Sequence, residues 1–331
     1  MSKIKVAING FGRIGRVTAR LLQNNTEIEL VAINDLVDTK TLAYLLKYDS
    51  IHGILNENIN SDENNIYINE HKINVYSERN PENLPWKDLD IDIVIESTGF
   101  FREYSGAYKH IEAGAKKVII SAPTNDNNIK TIVMGINDDI LDGNEKIISN
   151  ASCTTNCAAP MIKVLEENCK IINGFITTTH AYTGDQNIHD APHKDLRRAR
   201  AAGKSIIPTS TGAAKAIEKI FPALKGKLDG SGIRVPVLNG SLTDITCLIE
   251  NKISKEELNR LFINASNNNL KSVLSYTNDP IVSNDIIGNT YSCLFDTGLT
   301  SVVDNTVKIV AWYDNETGYS ARLIDLILKI S

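Results

Sequence analysis

The first half of the chain alternates short apolar runs with segments of helical periodicity. Apolar runs predict buried strands at 4–8, 28–33, 91–95, 117–120 and 131–133. Apolar residues recur at helical spacing after Gly10 and again over 103–113, where Gly114 is suited to end a helix. Strands that alternate with helices predict crossover connections and therefore a parallel sheet.

The pattern changes after Cys153. Longer strand-like stretches cover 171–180, 232–238, 241–250 and 302–312, and helical periodicity covers 255–267. Their length and polar interruptions predict a mostly antiparallel sheet with one covered face. Residues 185–205 are charged and lack apolar periodicity, which predicts a long loop, and such loops in compact domains are usually functional. The pattern returns to helix over 318–331.

Composition narrows the class of protein. The chain has 331 residues with 35 Lys and Arg against 40 Asp and Glu, a net charge of -5 that disfavours a dedicated nucleic-acid binder. Its five cysteines are too few and odd in number for a disulfide framework, which favours a reducing, cytoplasmic location. No signal peptide and no apolar run of the ~20 residues that a membrane helix needs is expected.

A glycine-rich turn follows the first strand. Gly10-Phe11-Gly12-Arg13-Ile14-Gly15 has the pattern G-x-G-x-x-G between a predicted strand and a predicted helix. Its glycines allow close approach to a pyrophosphate, and the helix N-terminus offers N–H donors. Asp35 ends the second strand 20 residues after Gly15, the position at which a carboxylate meets the ribose of NAD and would repel the 2′-phosphate of NADP. Asp35 as a solvated turn residue stays open.

Two later turns belong to the same edge of the predicted sheet. Ser97-Thr98-Gly99 and Ser121-Ala122-Pro123 each follow a strand candidate. The ligand crevice of an open parallel sheet lies at the carboxyl ends of its strands. Both turns are therefore candidate cofactor loops, with plain strand-to-helix connections as the alternative.

These patterns predict an α/β fold with two domains, at ~150 residues per domain. We expect an N-terminal domain with a Rossmann-type parallel sheet over 1–152, which binds NAD. A catalytic α+β domain with a mostly antiparallel sheet would follow over 153–315. The last helix, 316–331, is expected to pack back on the first domain.

A cysteine-rich turn opens the second half. Cys153 lies between a strand and a helix, where the helix dipole favours thiolate over thiol, and the hydroxyls of Ser152 and Thr154 can bind an anion beside it. A cysteine nucleophile needs a base, and His180 at the end of a strand-like run is the candidate, with a structural histidine equally possible. Cys157 lies one turn further on, but no further ligands have metal-site spacing, so no metal is predicted. The other three cysteines are expected to be buried small hydrophobes: Cys169, Cys247 and Cys293.

Five segments carry a resemblance to a known family. They are 149–156, 180–185, 209–215, 234–236 and 312–316. With the turn at Asn9-Gly10, they resemble the NAD-dependent phosphorylating glyceraldehyde-3-phosphate dehydrogenases over essentially the whole chain. The resemblance implies oxidation of D-glyceraldehyde 3-phosphate with NAD and inorganic phosphate to give 1,3-bisphosphoglycerate. It also implies a homotetramer in which the loop 185–205 crosses a subunit interface.

The resemblance implies a role for each site residue. Cys153 would attack the aldehyde carbon to give a hemithioacetal, and His180 would act as base while hydride passes to the nicotinamide. Phosphate would then release the resulting thioester as an acyl phosphate. The implied ligands of the substrate phosphate are Thr183, Asp185 and Arg234; those of the attacking phosphate are Ser152, Thr154, Arg197, Thr211 and Gly212, with Arg234 between the two. The implied cofactor contacts are Gly10, Phe11, Gly12, Arg13, Ile14, Gly15, Asp35, Arg79, Thr98, Gly99, Ser121 and Asn315.

Arg198 is expected to be a solvent or subunit contact. Two other functions stay open. In erythrose-4-phosphate dehydrogenases, which release the acyl group to water, the threonine that follows the histidine is typically altered, whereas Thr183 is present here. A non-catalytic dinucleotide-binding protein would be expected to lose Cys153 and His180, and both are present.

Overall fold

The computed structural model describes residues 3–331, which form two compact units. The first unit runs to Ile132 and adds Asp139–Ala151 and Ser320–Ser331. The second unit comprises Val133–Asp138 and Ser152–Tyr319. Apart from the short segment Val133–Asp138, the chain passes into the second unit at Ser152, the residue before Cys153, and returns to the first within its last helix.

The helices are α1 (Arg13–Leu22), α2 (Thr39–Lys47), α3 (Tyr104–Glu112), α4 (Cys153–Cys169), α5 (Ala213–Ile220), α6 (Lys255–Asn267) and α7 (Thr317–Ile330). Strands of the first unit are β1 (Ile4–Asn9), β2 (Ile28–Asn34), β3 (Tyr48–Asp49), β4 (Gly53–Ile54), β5 (Ile59–Ser61), β6 (Asn65–Ile68), β7 (His71–Tyr76), β8 (Ile93–Glu96), β9 (Lys117–Ile120), β10 (Lys130–Thr131) and β11 (Ile147–Ser149). Strands of the second are β12 (Ile171–Ala181), β13 (Ile207–Ser210), β14 (Leu228–Val235), β15 (Ser241–Ile249), β16 (Leu274–Thr277), β17 (Cys293–Asp296), β18 (Ser301–Val303) and β19 (Thr306–Tyr313). Within residues 3–331, no helix is long and apolar enough to cross a membrane.

The sheet of the first unit confirms the predicted parallel architecture. Its nine strands lie in the order β10-β11-β9-β8-β1-β2-β7-β6-β5, and every pair from β10 to β7 is parallel. Val6, Ala7 and Ile8 are fully buried, as expected for a strand covered on both faces. Later strands are added on either side of the adjacent pair β1 and β8, so this pair forms the switch point at which doubly wound sheets bind ligands.

The sheet of the second unit is mostly antiparallel, as predicted. Its strands lie in the order β13-β14-β12-β15-β19-β17-β16, with β18 paired to β19. Buried and less buried residues alternate along β15, the pattern of a sheet with one covered face. Two pairs are parallel, β12 with β14 and β16 with β17. The first of these parallel pairs positions the candidate site.

Several predicted boundaries differ from the structure. The stretch 302–312 is a hairpin of β18 and β19, because Asp304 adopts the left-handed conformation (φ 52°) in the two-residue turn between Val303 and Thr306. The apolar run 131–133 forms strand only at its first residue. The sequence pattern also misses α2, α5, β3–β7, β13, β16 and β17. Of these strands, all but β7 have at most four residues, which is too few to show a clear periodicity.

Gly114 follows α3 as predicted, with φ +108° and its N–H bonded to the carbonyl of Ile111 at 3.0 Å. A Cβ here would lie 2.6 Å from both N and Cα of Lys87. We therefore expect Gly114→Ala to lower the free energy of unfolding by about 2–4 kcal/mol, through backbone strain and overpacking together. The control is Gly143→Ala, which has φ +88° but no atom of residues 3–331 within 4 Å of a Cβ, so only strain of about 1–2 kcal/mol applies. Equal losses in urea denaturation would contradict the packing argument.

Candidate active site

The structure brings Cys153 and His180 into contact. Cys153 is the first residue of α4, and the Oγ of Ser152 caps this helix by accepting the N–H of Thr155 at 3.1 Å. His180 lies near the end of β12. The Sγ of Cys153 is 3.4 Å from Nε2 of His180. A nucleophile and a base within hydrogen-bonding distance are the arrangement that covalent catalysis by cysteine requires.

Strand register places Arg234 beside this pair. The parallel pairing of β12 with β14 sets His180 opposite Arg234. The Nη1 of Arg234 lies 2.9 Å from the carbonyl oxygen of Ala181, 3.2 Å from Oγ1 of Thr183 and 3.0 Å from Nδ1 of His180. A fixed positive charge is thereby held against the histidine, on the side opposite Cys153.

The hydrogen bonds determine the tautomer of His180. Its Nδ1 is 2.6 Å from the carbonyl oxygen of Ala181, which can only accept a hydrogen bond. Nη1 of Arg234, 3.0 Å from the same nitrogen, can only donate, but it already donates to Ala181 and Thr183. The shorter contact with Ala181 therefore decides: Nδ1 carries the proton and donates a hydrogen bond to that carbonyl. Nε2 is left with its lone pair towards the thiol of Cys153, so His180 is able to take the proton of that thiol.

Burial governs the ionisation of both groups. It raises the pKa of the Cys153 thiol to about 11, although the charge of Arg234 and hydrogen bonds from Thr154 act in the opposite direction. Burial also lowers the pKa of His180 to about 3, and here the charge of Arg234 adds to the effect. The direction for Cys153 is opposite to the one expected from the helix dipole, because desolvation of the thiolate outweighs it. Both directions favour the neutral thiol and the neutral imidazole over the ion pair.

Tyr313 joins the two elements that carry the pair. Its hydroxyl lies 2.9 Å from Oγ1 of Thr154 and 2.8 Å from Oγ1 of Thr178, and its ring meets the ring of His180 edge-on at 5.9 Å. Burial raises the pKa of Tyr313, which keeps the hydroxyl protonated. Tyr313 stands in the segment 312–316 that carries the resemblance, but the sequence assigns it no role of its own.

The arginine of the long loop that faces this site is Arg198. Its Nη1 donates to Oδ2 of Asp185 at 2.5 Å and its Nε to Oγ1 of Thr209 at 2.9 Å, leaving its side chain 19% exposed. Arg197 is exposed. Arg198 is thus bonded within its own chain rather than free in solvent, and the geometry favours it over Arg197 as a phosphate ligand. Neighbouring side chains of a turn point in different directions, so only one of the two can lie against β13.

Asp185 organises the cluster rather than donating to an anion. Its carboxylate accepts the hydroxyl of Thr183 and the guanidinium of Arg198. A carboxylate has no proton to offer a phosphate, so its contribution is to orient these two donors. Burial raises the pKa of Asp185, but Thr183 and the two neighbouring arginines, Arg234 and Arg198, bring it below its ordinary value.

The remaining predicted phosphate ligands lie at two helix starts. Ser152 and Thr154 flank Cys153 at the start of α4. Thr211 and Gly212 precede α5, where the Oγ1 of Thr211 accepts the N–H of Ala213 at 3.2 Å. Arg198 reaches the same turn, with Nη2 3.5 Å from the carbonyl oxygen of Ser210.

The glycine-rich turn has the geometry of a dinucleotide loop. Gly10 has φ +92°, and a Cβ there would lie 2.7 Å from the backbone N of Thr98. A Cβ on Gly15 would lie 2.5 Å from the carbonyl oxygen of Gly10, so the helix packs closely against the turn. Gly12, which caps α1, has no atom of the described part of the chain within 4 Å of such a Cβ. The helix start is thus open to a ligand at Gly12, which fits a pyrophosphate.

Asp35 is joined to this turn. Its Oδ2 accepts the N–H of Phe11 at 2.7 Å, and its Oδ1 accepts the N–H of Val37 at 3.1 Å. The Phe11 side chain is buried and the Arg13 guanidinium is bonded to Asp49 at 2.5 Å, so these two residues face a ligand with their backbone only. Burial raises the pKa of Asp49, but hydrogen bonds from Arg13 and the backbone hold it well below its usual range.

The other predicted cofactor residues follow neighbouring strands. Thr98 and Gly99 follow β8, Ser121 follows β9, and the exposed Arg79 follows β7. Because these strands are parallel to β1 and β2, their carboxyl ends share one edge of the sheet. Asn315 belongs to the second unit, where its Oδ1 accepts the hydroxyl of Ser241 at 2.8 Å.

Both units match known proteins. Residues 4–104 match the family described as "Glyceraldehyde 3-phosphate dehydrogenase, NAD binding domain", and residues 152–315 match "Glyceraldehyde 3-phosphate dehydrogenase, C-terminal domain". The chain belongs to the glyceraldehyde-3-phosphate dehydrogenase family. A relative from Streptomyces avermitilis named glyceraldehyde-3-phosphate dehydrogenase 2 is 56% identical over 330 residues, 99% of this chain and 98% of the relative. Glyceraldehyde-3-phosphate dehydrogenases from Mycobacterium avium and Geobacillus stearothermophilus are each 53% identical, with the same coverage.

Membership of the glyceraldehyde-3-phosphate dehydrogenase family identifies the cofactor as NAD, as predicted. The open helix start at Gly12 and the carboxylate of Asp35 fit its pyrophosphate and ribose. Among the described residues, no group of three or more His, Cys, Asp or Glu side chains could hold a metal ion. All four cysteines other than Cys153 are buried.

We expect His180→Asn to lower kcat by ~10²–10⁴-fold, because asparagine cannot take the thiol proton. The rate at which iodoacetamide alkylates Cys153 at neutral pH should fall as well, while the dissociation constant for NAD changes little. The matched control is His189→Asn, since His189 is exposed in the same unit. An alkylation rate equal to that of the unmodified chain would show that His180 does not act on Cys153.

Proposed function

We propose that this chain oxidises and phosphorylates D-glyceraldehyde 3-phosphate to 1,3-bisphosphoglycerate, with NAD and inorganic phosphate as the other reactants. The observation that carries this proposal is the 3.4 Å contact between Cys153 and His180 beside two arginines, Arg234 and Arg198. Family membership supports the same reaction. A thiol and a base can form and break an acyl bond, and two arginines can receive two phosphates.

The chemistry begins at the thiol. Sγ of Cys153 bonds to the aldehyde carbon as its proton moves to Nε2 of His180, which passes that proton to the carbonyl oxygen and completes a hemithioacetal. His180 then takes the hydroxyl proton back as the carbon is oxidised to a thioester. NAD supplies the acceptor for the hydride. The orientation of His180 by Ala181 keeps Nε2 available for each of these proton transfers.

The reaction also requires two binding positions for phosphate. Arg234 and Thr183 hold the phosphate of the substrate, oriented by Asp185. Arg198, Thr211 and Gly212, with Ser152 and Thr154, hold the inorganic phosphate that attacks the thioester. The planar fork of arginine suits phosphate oxygens, and hydroxyl and backbone donors supply the remaining hydrogen bonds. Attack by phosphate returns the thiolate of Cys153, which regains its proton from His180.

The roles of the domains and the assembly of the protein are part of the proposal. We assign 1–152 and the last helix, 316–331, to NAD binding, and 153–315 to the chemistry, with Asn315 as a further cofactor contact. A homotetramer in the cytoplasm follows from the resemblance. Apolar side chains in and beside the loop 185–205 support a subunit contact there, since Ile188, Leu196 and Ile206 are 79%, 82% and 71% exposed.

Formation of NADH from D-glyceraldehyde 3-phosphate tests the reaction. With inorganic phosphate we expect continuous turnover, and without it a single burst that stops at the thioester. Cys153→Ser should abolish turnover and leave NAD binding intact. Continuous NADH formation without phosphate would instead indicate release to water, as in erythrose-4-phosphate dehydrogenases, and no NADH at all would indicate a binding protein.

The two neighbouring arginines offer a matched pair of variants. We expect Arg198→Ala to raise the KM for inorganic phosphate by about ten- to a hundredfold, the loss of one charge-assisted hydrogen-bonding group. Arg197→Ala should change it less than about twofold, in line with an exposed side chain. Initial rates at varied phosphate concentration measure both. The reverse order of effects would restore Arg197 as the ligand.

A further inference from the structure

A network of hydrogen-bonded, buried polar side chains runs through the first unit. It comprises five residues that are at most 4% exposed: Trp86, His110, Glu96, Asn9 and Asn34. The sequence pattern gives none of them a functional role, and the proposed reaction does not use them directly. Burial of polar groups costs free energy unless they are fully hydrogen-bonded, so a network of this size calls for an explanation.

Glu96 lies at the centre of this network. Its Oε2 accepts from Nδ2 of Asn9 at 2.6 Å and from Nε2 of His110 at 3.1 Å. Its Oε1 accepts from the backbone N–H of Thr98 at 2.8 Å and from the Thr98 hydroxyl. Four donors therefore converge on one carboxylate.

The two ends of the network fix the direction of these hydrogen bonds. At one end, the indole N–H of Trp86 can only donate, so Nδ1 of His110, 3.0 Å away, must accept. Nε2 of His110 then carries the proton, since a neutral imidazole has one N–H, and it donates towards Glu96. The histidine is thus the neutral Nε2–H tautomer.

The other end begins at the backbone of Glu78. Its N–H donates to Oδ1 of Asn34 at 2.8 Å, which fixes the orientation of the Asn34 amide. Nδ2 of Asn34 then donates to Oδ1 of Asn9 at 2.7 Å, and this fixes Asn9 with its Nδ2 towards Glu96. Donors thus arrive at Glu96 from both directions, and only an ionised carboxylate accepts them all.

The geometry points to Glu96 as the positioning residue of the NAD site, an inference that rests on the proposed function. Apart from the end at Trp86, every turn that this network reaches carries a predicted cofactor residue. Asn9 precedes Gly10, Asn34 precedes Asp35, Glu78 precedes Arg79, and Thr98 is bonded to Glu96 itself. One buried carboxylate therefore sets the relative positions of four turns at the edge of the sheet where NAD binds.

Glutamine at position 96 would keep the shape of the side chain but break the pattern. Its amide would point two N–H donors either at the N–H and O–H of Thr98 or at the donors of Asn9 and His110. In each orientation donors face donors. Buried donors without acceptors cost about 1–3 kcal/mol each, which in binding corresponds to about five- to a hundredfold.

The test compares Glu96→Gln with the unmodified chain. We expect the dissociation constant for NAD, measured by isothermal titration calorimetry, to rise about tenfold or more. At saturating NAD, kcat and the KM for D-glyceraldehyde 3-phosphate should change less than about twofold, because the Cys153–His180 pair belongs to the other unit. The control is Glu112→Gln, an exposed carboxylate on the same helix as His110 that should bind NAD normally.

A double variant tests whether the hydrogen-bond pattern, rather than the identity of residue 96, is what matters. In Asn9→Asp/Glu96→Gln the negative charge moves from position 96 to its hydrogen-bond partner at position 9. The new carboxylate can accept from Asn34, from the new amide and from Nε2 of His110, which lies 3.3 Å from the present Nδ2 of Asn9. The carbonyl of the new amide keeps both donors of Thr98. We expect this variant to regain most of the NAD affinity and of the melting temperature that Glu96→Gln loses.

The outcomes are distinct. An unchanged NAD affinity in Glu96→Gln, or a double variant as weak as the single one, would overturn the assignment. If Glu96→Gln does not fold, recovery of NAD binding in the double variant supports it and absence of recovery overturns it. If the unmodified chain does not bind NAD, the proposed function fails instead, and the melting temperatures of the variants still test the hydrogen-bond pattern.

Discussion

The chemistry of the second unit depends on one constraint, the desolvation of two titratable groups next to a fixed positive charge. Cys153 and His180 lie 3.4 Å apart, and Arg234 lies on the far side of the imidazole. Burial disfavours the thiolate and the imidazolium alike, while Arg234 favours the first and disfavours the second. These directions favour the proton on sulfur, and Nε2 is its prepared acceptor when the thiol attacks a carbonyl carbon.

The fold supplies this arrangement through backbone pairing. The parallel register of β12 with β14 sets Arg234 against His180, and the carbonyl of Ala181 holds the imidazole in one tautomer. Tyr313 ties the start of the helix that carries Cys153 to the strand that carries His180. In the first unit the equivalent task falls to Glu96, whose four hydrogen bonds join the turns that follow neighbouring strands. Each site is thus positioned by buried polar groups whose donors and acceptors match.

Local patterns in the sequence predict local features well. Apolar runs and the glycine turn predict the parallel sheet and the position of Asp35, and the cysteine-rich turn predicts Cys153 at a helix start. Contacts between distant residues carry no such signal: Asn9 and Glu96 are 87 residues apart. The choice between Arg197 and Arg198 needs the structure for a related reason, because a loop has no periodicity that indicates which side chain faces inward. The direction of the Cys153 pKa also needs the structure, since a motif shows the helix start but not the degree of desolvation.

The covalent intermediate on Cys153 is the most direct test of this account. The chain is mixed with NAD and D-glyceraldehyde 3-phosphate without inorganic phosphate, quenched in acid and measured by intact-mass and peptide mass spectrometry. The account predicts one phosphoglyceroyl group per chain, attached to Cys153 and removed on addition of phosphate before the quench. Formation of NADH without an acyl group on Cys153, or an acyl group that phosphate does not remove, would contradict it.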